Sequence, residues 1–202
     1  MRLQTFDLDS GDKFGTWEDE TSRFMYDGAM PGLLAELPFY PIVADYGGAN
    51  GLMQKFFPGS IYQTIDIDAS KNPSIVDDIV THIGQYDLIV LRYVLHYLTD
   101  KQAGRMFDNI RSYHNGDILI IQFVNDGEDL RRKREISRLV TEDKQKQMRS
   151  TPELFTLLRP FHILGVESVD YEVTPDFYKN RLGITAPIAS HHERVYAVRC
   201  TP

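Results

Sequence analysis

The chain has a single cysteine, Cys200, in 202 residues, so no disulfide can form within it. A domain of this length buries about 70% of its unfolded surface and needs no covalent staple. A reducing cytosol is therefore the expected compartment. Long hydrophobic runs are lacking too. No stretch approaches the ~20 apolar residues that span a bilayer, and the segment from Met1 to Asp7 holds no hydrophobic signal core. The expectation is a soluble, cytoplasmic protein with no membrane role. An excess of basic charge is also missing: 22 Lys and Arg stand against 29 Asp and Glu, a formal net charge of -7. A polyanion requires a basic face, so nucleic acid is disfavoured as a partner. One basic cluster exists, Arg131-Arg132-Lys133-Arg134 with Arg138, but Glu128, Asp129 and Glu135 lie around it. It reads as a solvated helix face. The remaining composition, 42% hydrophobic and 25% charged, is that of an ordinary globular domain.

Two common nucleotide signatures are absent. There is no G-x-x-x-x-G-K-[ST] loop. A dinucleotide fingerprint would need glycine at all three G-x-G-x-x-G positions, where Gly47, Ala49 and Leu52 stand. What is present is Val43-Ala44-Asp45-Tyr46-Gly47-Gly48-Ala49-Asn50-Gly51, followed by Thr64-Ile65-Asp66-Ile67-Asp68. This reads as a buried strand, a glycine-rich turn and a second strand ending in an acid. Asp66 follows Gly47 by 19 residues, close to the roughly 20 of a ribose-binding carboxylate in a βαβ unit. Asp45, at the strand end, would repel a pyrophosphate. It would instead pair with a cationic amino group or a sulfonium.

Strands then alternate with helices. Expected strands are Ile42–Tyr46, Tyr62–Ile67, Ser74–Val76, Tyr86–Leu91, Asp117–Val124, Phe161–Val173 and Val195–Cys200. Expected helices are Leu52–Phe57, Asp100–Tyr113, Leu130–Met148 and a last one opened by Thr151-Pro152-Glu153 and running to Leu158. Two short helices are expected between Thr21 and Leu37. The alternation predicts an α/β fold with a doubly wound, mainly parallel seven-stranded sheet. One domain is expected, with residues 1–40 as a helical cap, 41–202 as the core and 174–193 as a substrate-side loop.

Ligands of such a sheet bind at the carboxyl ends of the strands, beside the switch point at strand one. That rule selects Asp45 and the Gly47–Gly51 turn, Asp66, Ile67 and Asp68, Asp77 and Asp78, then Arg92, Tyr93 and His96, and then Gln122, Phe123, Asn125 and Asp126.

The series Asp45-x-Gly47-x-Ala49-x-Gly51 resembles the D-x-G-x-G-x-G turn of the class I S-adenosylmethionine-dependent methyltransferases. The run from Tyr86 through Leu91 to His96, Tyr97 and Leu98 resembles the fourth-strand motif of their small-molecule branch, in which an F-D-h-V core leads into an L-H-h-L turn. Thr151-Pro152-Glu153-Leu154-Phe155 is similar to a helix start of the same group. The resemblance covers roughly residues 40–200. Ala49 departs from the usual middle glycine.

The resemblance implies a Rossmann-like core closed by an antiparallel hairpin, with S-adenosylmethionine as methyl donor and S-adenosylhomocysteine as product. It implies that Asp45, Gly47, Gly48, Ala49 and Gly51 lie at the methionine end. Asp66 would take the ribose hydroxyls, Ile67 would lie beside adenine, and Asp77 would accept from the adenine amino group, with Asp78 near enough to exchange roles. Arg92 and Tyr93 are further cofactor contacts. The expected reaction is methyl transfer to O or N of a small molecule. His192, His191 and His96 are the candidate bases, because histidine titrates near neutral pH. Trp17, Tyr26, Tyr178 and Arg181 are candidate acceptor contacts, aromatic surfaces with polar tips suiting a partly apolar acceptor. No metal is expected, since adjacent histidines on an extended chain point to opposite sides. A homodimer is left open. The competing readings are a methyltransferase for a nucleic-acid base or peptide, and a non-catalytic binding subunit with the same fold.

Overall fold

The computed structural model describes residues 37–48, 51–137, 147–173 and 191–202. The strands are β1 Ile42–Tyr46, β2 Ile61–Asp66, β3 Ile75–Val76, β4 Leu88–Arg92, β5 Asp117–Val124, β6 His162–Val173 and β7 His191–Thr201. The α-helices are α1 Asp100–Tyr113, α2 Gly127–Ser137 and α3 Thr151–Leu158. They form one seven-stranded sheet in the order β3-β2-β1-β4-β5-β7-β6. The pairs β1–β2, β1–β4, β2–β3 and β4–β5 are parallel. β7 runs antiparallel to both β5 and β6. The chain winds outward from β1 to β3, then returns to the other side of β1 with β4. The switch point thus lies between β1 and β4.

Both faces of the sheet are covered, which explains the continuous apolar runs. On one face Ala44, Tyr46, Ile89, Leu91, Ile118 and Ile120 pack with Ala103, Met106, Phe107 and Ile110 of α1 and Leu154 and Leu158 of α3. On the other, Val43, Leu88, Val90, Leu119 and Ile121 pack with Met53, Phe57 and Leu130. Helix α1 starts at a capping box in which Thr99 and Gln102 satisfy each other's amides. Ser150 and Glu153 do the same for α3, with proline in its first turn.

Several expected boundaries move. The segment Leu52–Phe56 is a 3₁₀ helix. β4 starts at Leu88 rather than Tyr86, because the Asp87 carboxylate takes the Ile42 amide at 2.8 Å and ties down the approach to the strand. Helix α2 begins at Gly127, and residues 147–150 are not helical. Backbone bonds explain the difference at 147–150: the Gln147 amide donates to the His96 carbonyl at 2.8 Å, and the Asn125 amide to the Arg149 carbonyl at 3.1 Å. β7 begins at His191 instead of Val195, since it pairs with β6 along its whole length. The helices expected before Leu37 lie outside the described residues. Among the described residues, no helix is long and apolar enough to cross a membrane.

Three arginines of the basic cluster are paired with acids, and Arg138 lies outside the described residues. Arg131 pairs with Glu128 at 3.0 Å and Glu135 at 2.8 Å, Arg132 with Glu128 at 3.1 Å, and Arg134 with Glu153 at 3.2 Å.

Candidate cofactor site

β1 is central, so its carboxyl end opens onto the switch point. The chain leaves it through Gly47, whose φ is 68° and whose amide donates to the Ile65 carbonyl at 2.7 Å. A Cβ at Gly47 would lie 2.6 Å from Val94 Cγ2, and one at Gly48 would lie 2.5 Å from Asp45 Cγ. Both glycines are therefore dictated by what packs against them, the second by the carboxylate itself. The turn closes when the Gly51 amide donates to the Gly48 carbonyl at 2.7 Å. Ala49 and Asn50 lie outside the described residues.

Asp45 is 2% exposed. Burial pushes its carboxyl up to about 6, against a lowering hydrogen bond from Tyr62 and the positive charge of Arg92, while Asp66 raises it further. The Tyr62 hydroxyl donates to Asp45 Oδ2 at 2.5 Å. A buried, incompletely compensated carboxylate is costly. A cation arriving beside it would remove that cost.

One strand over, Asp66 is buried at the end of β2, and its Oδ1 accepts from the Asp68 amide at 2.9 Å. Ile67 follows it at 61% exposure, an aliphatic surface held out beside the acid. Asp77 is joined to Asp66 through the backbone, its amide donating to the Asp66 carbonyl at 3.1 Å. The two neighbouring acids Asp77 and Asp78 do different things. Asp78 Oδ1 accepts from the Val80 amide at 2.9 Å, and its carbonyl accepts from the Thr81 and His82 amides at 2.9 and 2.8 Å. It builds the turn. Asp77 stays at the edge, with its side chain 46% exposed, Oδ2 2.7 Å from His82 Nδ1 and Oδ1 accepting from the Asp78 amide at 2.8 Å. Its carboxyl lies below the usual range, the His82 bond being the main cause.

β4 ends in Arg92, and Tyr93 beyond it has a φ of 52°. A left-handed backbone costs a side-chain-bearing residue about 1–2 kcal/mol. It is held by the Tyr93 amide, which donates to the Ile121 carbonyl at 2.8 Å, and by the Phe123 ring 6.0 Å from its own. The Arg92 guanidinium lies 5.8 Å from the Tyr93 ring centre. Such strain concentrates at functional edges. His96 is 1% exposed, its ring centre 4.0 Å from that of Tyr97 and 4.9 Å from that of Phe123. The turn that carries it is clamped by buried Arg149, which donates to the Leu95 carbonyl, to the Leu98 carbonyl at 2.8 Å and to Asp100 at 2.9 Å.

His191 and His192 open β7, opposite Val173 and Glu172 of β6. Because β7 is antiparallel to β5, and Val124 pairs with Arg194, these histidines extend past the carboxyl end of β5. Trp17, Tyr26, Tyr178 and Arg181 lie outside the described residues. Among the described residues, no group of three His, Cys, Asp or Glu side chains could hold a metal ion.

No family model matches the sequence, and neither does any curated protein. Solved structures do. An N-methyltransferase, NodS of Bradyrhizobium japonicum, in complex with S-adenosylhomocysteine, superposes with a TM-score of 0.62 at 14% identity, over 98% of this chain and all of that one (100%). The 1,6-didemethyltoxoflavin N1-methyltransferase of Burkholderia thailandensis, with 1,6-didemethyltoxoflavin and S-adenosylhomocysteine bound, gives 0.59 at 18% identity, over 96% of this chain and 84% of that one. Human N-acetylserotonin methyltransferase in complex with S-adenosylmethionine gives 0.51 at 21% identity, over 82% of this chain and 49% of that one. The chain has the class I methyltransferase fold. Within that fold the carboxylates Asp45, Asp66 and Asp77 stand in the last two residues of β1, at the end of β2 and just beyond β3, along one edge of the sheet.

Tyr62, His82, Tyr86 and Arg149 are partners of this edge that the sequence reading did not select. Tyr62 had a usable signal. In a parallel β1–β2 pair Asp45 stands opposite Thr64, so the residue two before Thr64 on the same face is its diagonal neighbour. His82 and Tyr86 sit in irregular chain and had none.

Proposed function

We propose that this protein is an S-adenosylmethionine-dependent methyltransferase acting on O or N of a small molecule. The observation that carries the reading is the buried Asp45 carboxylate packed against Gly48, at the switch point, with Asp66 ending the next strand. This donor set fits the cofactor: an anionic site for its ammonium or sulfonium end and an acid for two hydroxyls, beside a glycine turn. When bound, S-adenosylmethionine supplies a methyl group already activated on sulfur, for in-line displacement by the acceptor. The protein's own work is binding, alignment and exclusion of water. Asp45 answers the positive charge, Asp66 accepts from the ribose hydroxyls, Ile67 presents an apolar face to adenine, and Asp77 accepts from its amino group. Arg92 and Tyr93, at the end of β4, are proposed as further cofactor contacts.

An acceptor that keeps its proton at neutral pH needs a base. His192 or His191 is proposed for that role, with His96 behind the aromatic wall as the third candidate. Trp17, Tyr26, Tyr178 and Arg181 are proposed to line the acceptor. The Cys200 thiol is buried and pushed up to about 12, so it takes no part. The test is calorimetric titration with S-adenosylmethionine, S-adenosylhomocysteine and NAD. Micromolar binding of the first two without the third supports the reading and opens an acceptor screen with a methyl-labelled donor. Binding of neither nucleoside refutes it.

A further inference from the structure

The Asp77 carboxylate is held more firmly than its exposure requires. A carboxylate on an open loop samples several rotamers, and fixing one costs conformational entropy at the moment of binding. Here both oxygens are already engaged, Oδ1 by the Asp78 amide at 2.8 Å and Oδ2 by His82 at 2.7 Å. His82 lies beneath, only 8% exposed, and its other ring nitrogen is 2.8 Å from the Tyr86 hydroxyl. The backbone helps: the turn that begins at Asp78 returns His82 under Asp77 through the His82 amide and the Asp78 carbonyl at 2.8 Å.

The sense of the chain of bonds follows from chemistry. A carboxylate only accepts, so Nδ1 must carry the proton toward Asp77. With that proton on Nδ1, Nε2 can accept from the Tyr86 phenol, whose proton is retained because burial raises its pKa. Aromatic packing fixes both rings. Tyr46 stands edge-on to His82 at 5.5 Å and 84°, and to Tyr86 at 6.4 Å and 89°. Gly84 leaves room for the phenol: a Cβ there would lie 2.5 Å from the Tyr86 hydroxyl.

We propose that His82, backed by Tyr86, is a positioning residue that orients Asp77 to select adenine by its exocyclic amino group. The proposal rests on the cofactor reading given above. An amino group donates to the oriented carboxylate. A carbonyl oxygen at the same place on the base would face it lone pair to lone pair. Polar sites built around one hydrogen-bonding group reject an analogue that cannot form the bond.

The probes are S-adenosylhomocysteine and S-inosylhomocysteine, which carries a carbonyl oxygen where adenine carries its amino group. Calorimetry on the unmutated protein should show at least about a hundredfold preference for the adenine ligand. His82→Leu should cut that ratio roughly tenfold, by weakening the adenine ligand while leaving the inosine ligand as it was. His82→Asn sets an amide N–H near the place of Nδ1 and should restore most of the ratio, which loss of general packing would not permit. Tyr86→Phe removes the phenol from the second nitrogen and should fall between. Should His82→Leu fail to fold, by circular dichroism and thermal melting, the Asn and Phe variants carry the test. A ratio unmoved in the folded variants, or equal affinities in the unmutated protein, overturns the role of His82 and Tyr86 alone. Binding of neither ligand to the unmutated protein overturns the cofactor reading itself.

Discussion

Acidifying the solution from about pH 8 to about pH 5 should weaken S-adenosylhomocysteine binding roughly tenfold, and Asp45→Asn should abolish that dependence. The perturbation acts on one buried group. Without ligand the Asp45 carboxyl stands at about 6, chiefly through burial. An ammonium placed beside it favours the ionised form and pulls its pKa back toward or below the ordinary carboxylate value. The ligand therefore binds the ionised protein, and below about pH 6 a proton must leave first. About one molecule in eleven is ionised at about pH 5, so the apparent affinity falls some elevenfold, about 1.4 kcal/mol. Above about pH 7 the curve is flat. Calorimetry near pH 6, in two buffers of different ionisation enthalpy, should register about half a proton released per ligand. The same shift acts on folding with a defined sign. The folded state holds this proton more tightly than the unfolded chain, so the contribution to stability is full below the unfolded value of 3.8 and is lost as pH rises through about 6. At about pH 8 the ionised carboxylate costs the fold about 3 kcal/mol, which Asp45→Asn should relieve as a raised Tm. Equal affinity at both pH values in the unmutated protein, or the same slope in Asp45→Asn, would refute the reasoning.

Asp66→Ala should weaken the same ligand by about 1–3 kcal/mol, the cost of an unmade polar contact, and unchanged affinity would remove the ribose assignment. Arg149→Met strips donors from the buried Leu95 and Leu98 carbonyls and should destabilise the protein by about 2–4 kcal/mol in urea; a loss below about 1 kcal/mol would show that the clamp is dispensable. His192→Ala or His191→Ala should lower kcat with cofactor affinity unchanged, once an acceptor is in hand. Full activity in both would return the pair to a structural role.

The sequence was most legible where local chemistry decides. β1, β5, α1 and α3 fall at the bounds their patterns imply, because apolar runs and capping boxes act over a few residues. The mainly parallel, doubly wound sheet followed from the alternation of strands and helices, and the switch-point rule selected Asp45, Asp66 and Asp77 at the carboxyl ends of the strands, whereas the strand order came from the structure. Legibility failed where register or irregular chain decides. The start of β4 depends on a carboxylate reaching across to Ile42. The non-helical chain at 147–150 depends on bonds to His96 and Asn125, far away in sequence. Composition treats Asp77 and Asp78 alike, and only the turn assigns one to the backbone and the other to the edge. Tyr62 reaches Asp45 through the β1–β2 pairing, and His82 returns to Asp77 through the irregular turn that begins at Asp78.

The β6–β7 hairpin has a consequence for diversification. Val173 pairs with His191, so the 17 residues between them leave and rejoin the sheet at one point. Lengthening such an insertion is cheap, about 0.6 kcal/mol for each doubling by loop-closure entropy. It shifts no parallel ladder, because the two strands it joins, β6 and β7, pair only antiparallel. The segment can therefore be exchanged like a cartridge between its two fixed ends, while Asp45 and Asp66 keep their places on β1 and β2 and Asp77 its place just beyond β3.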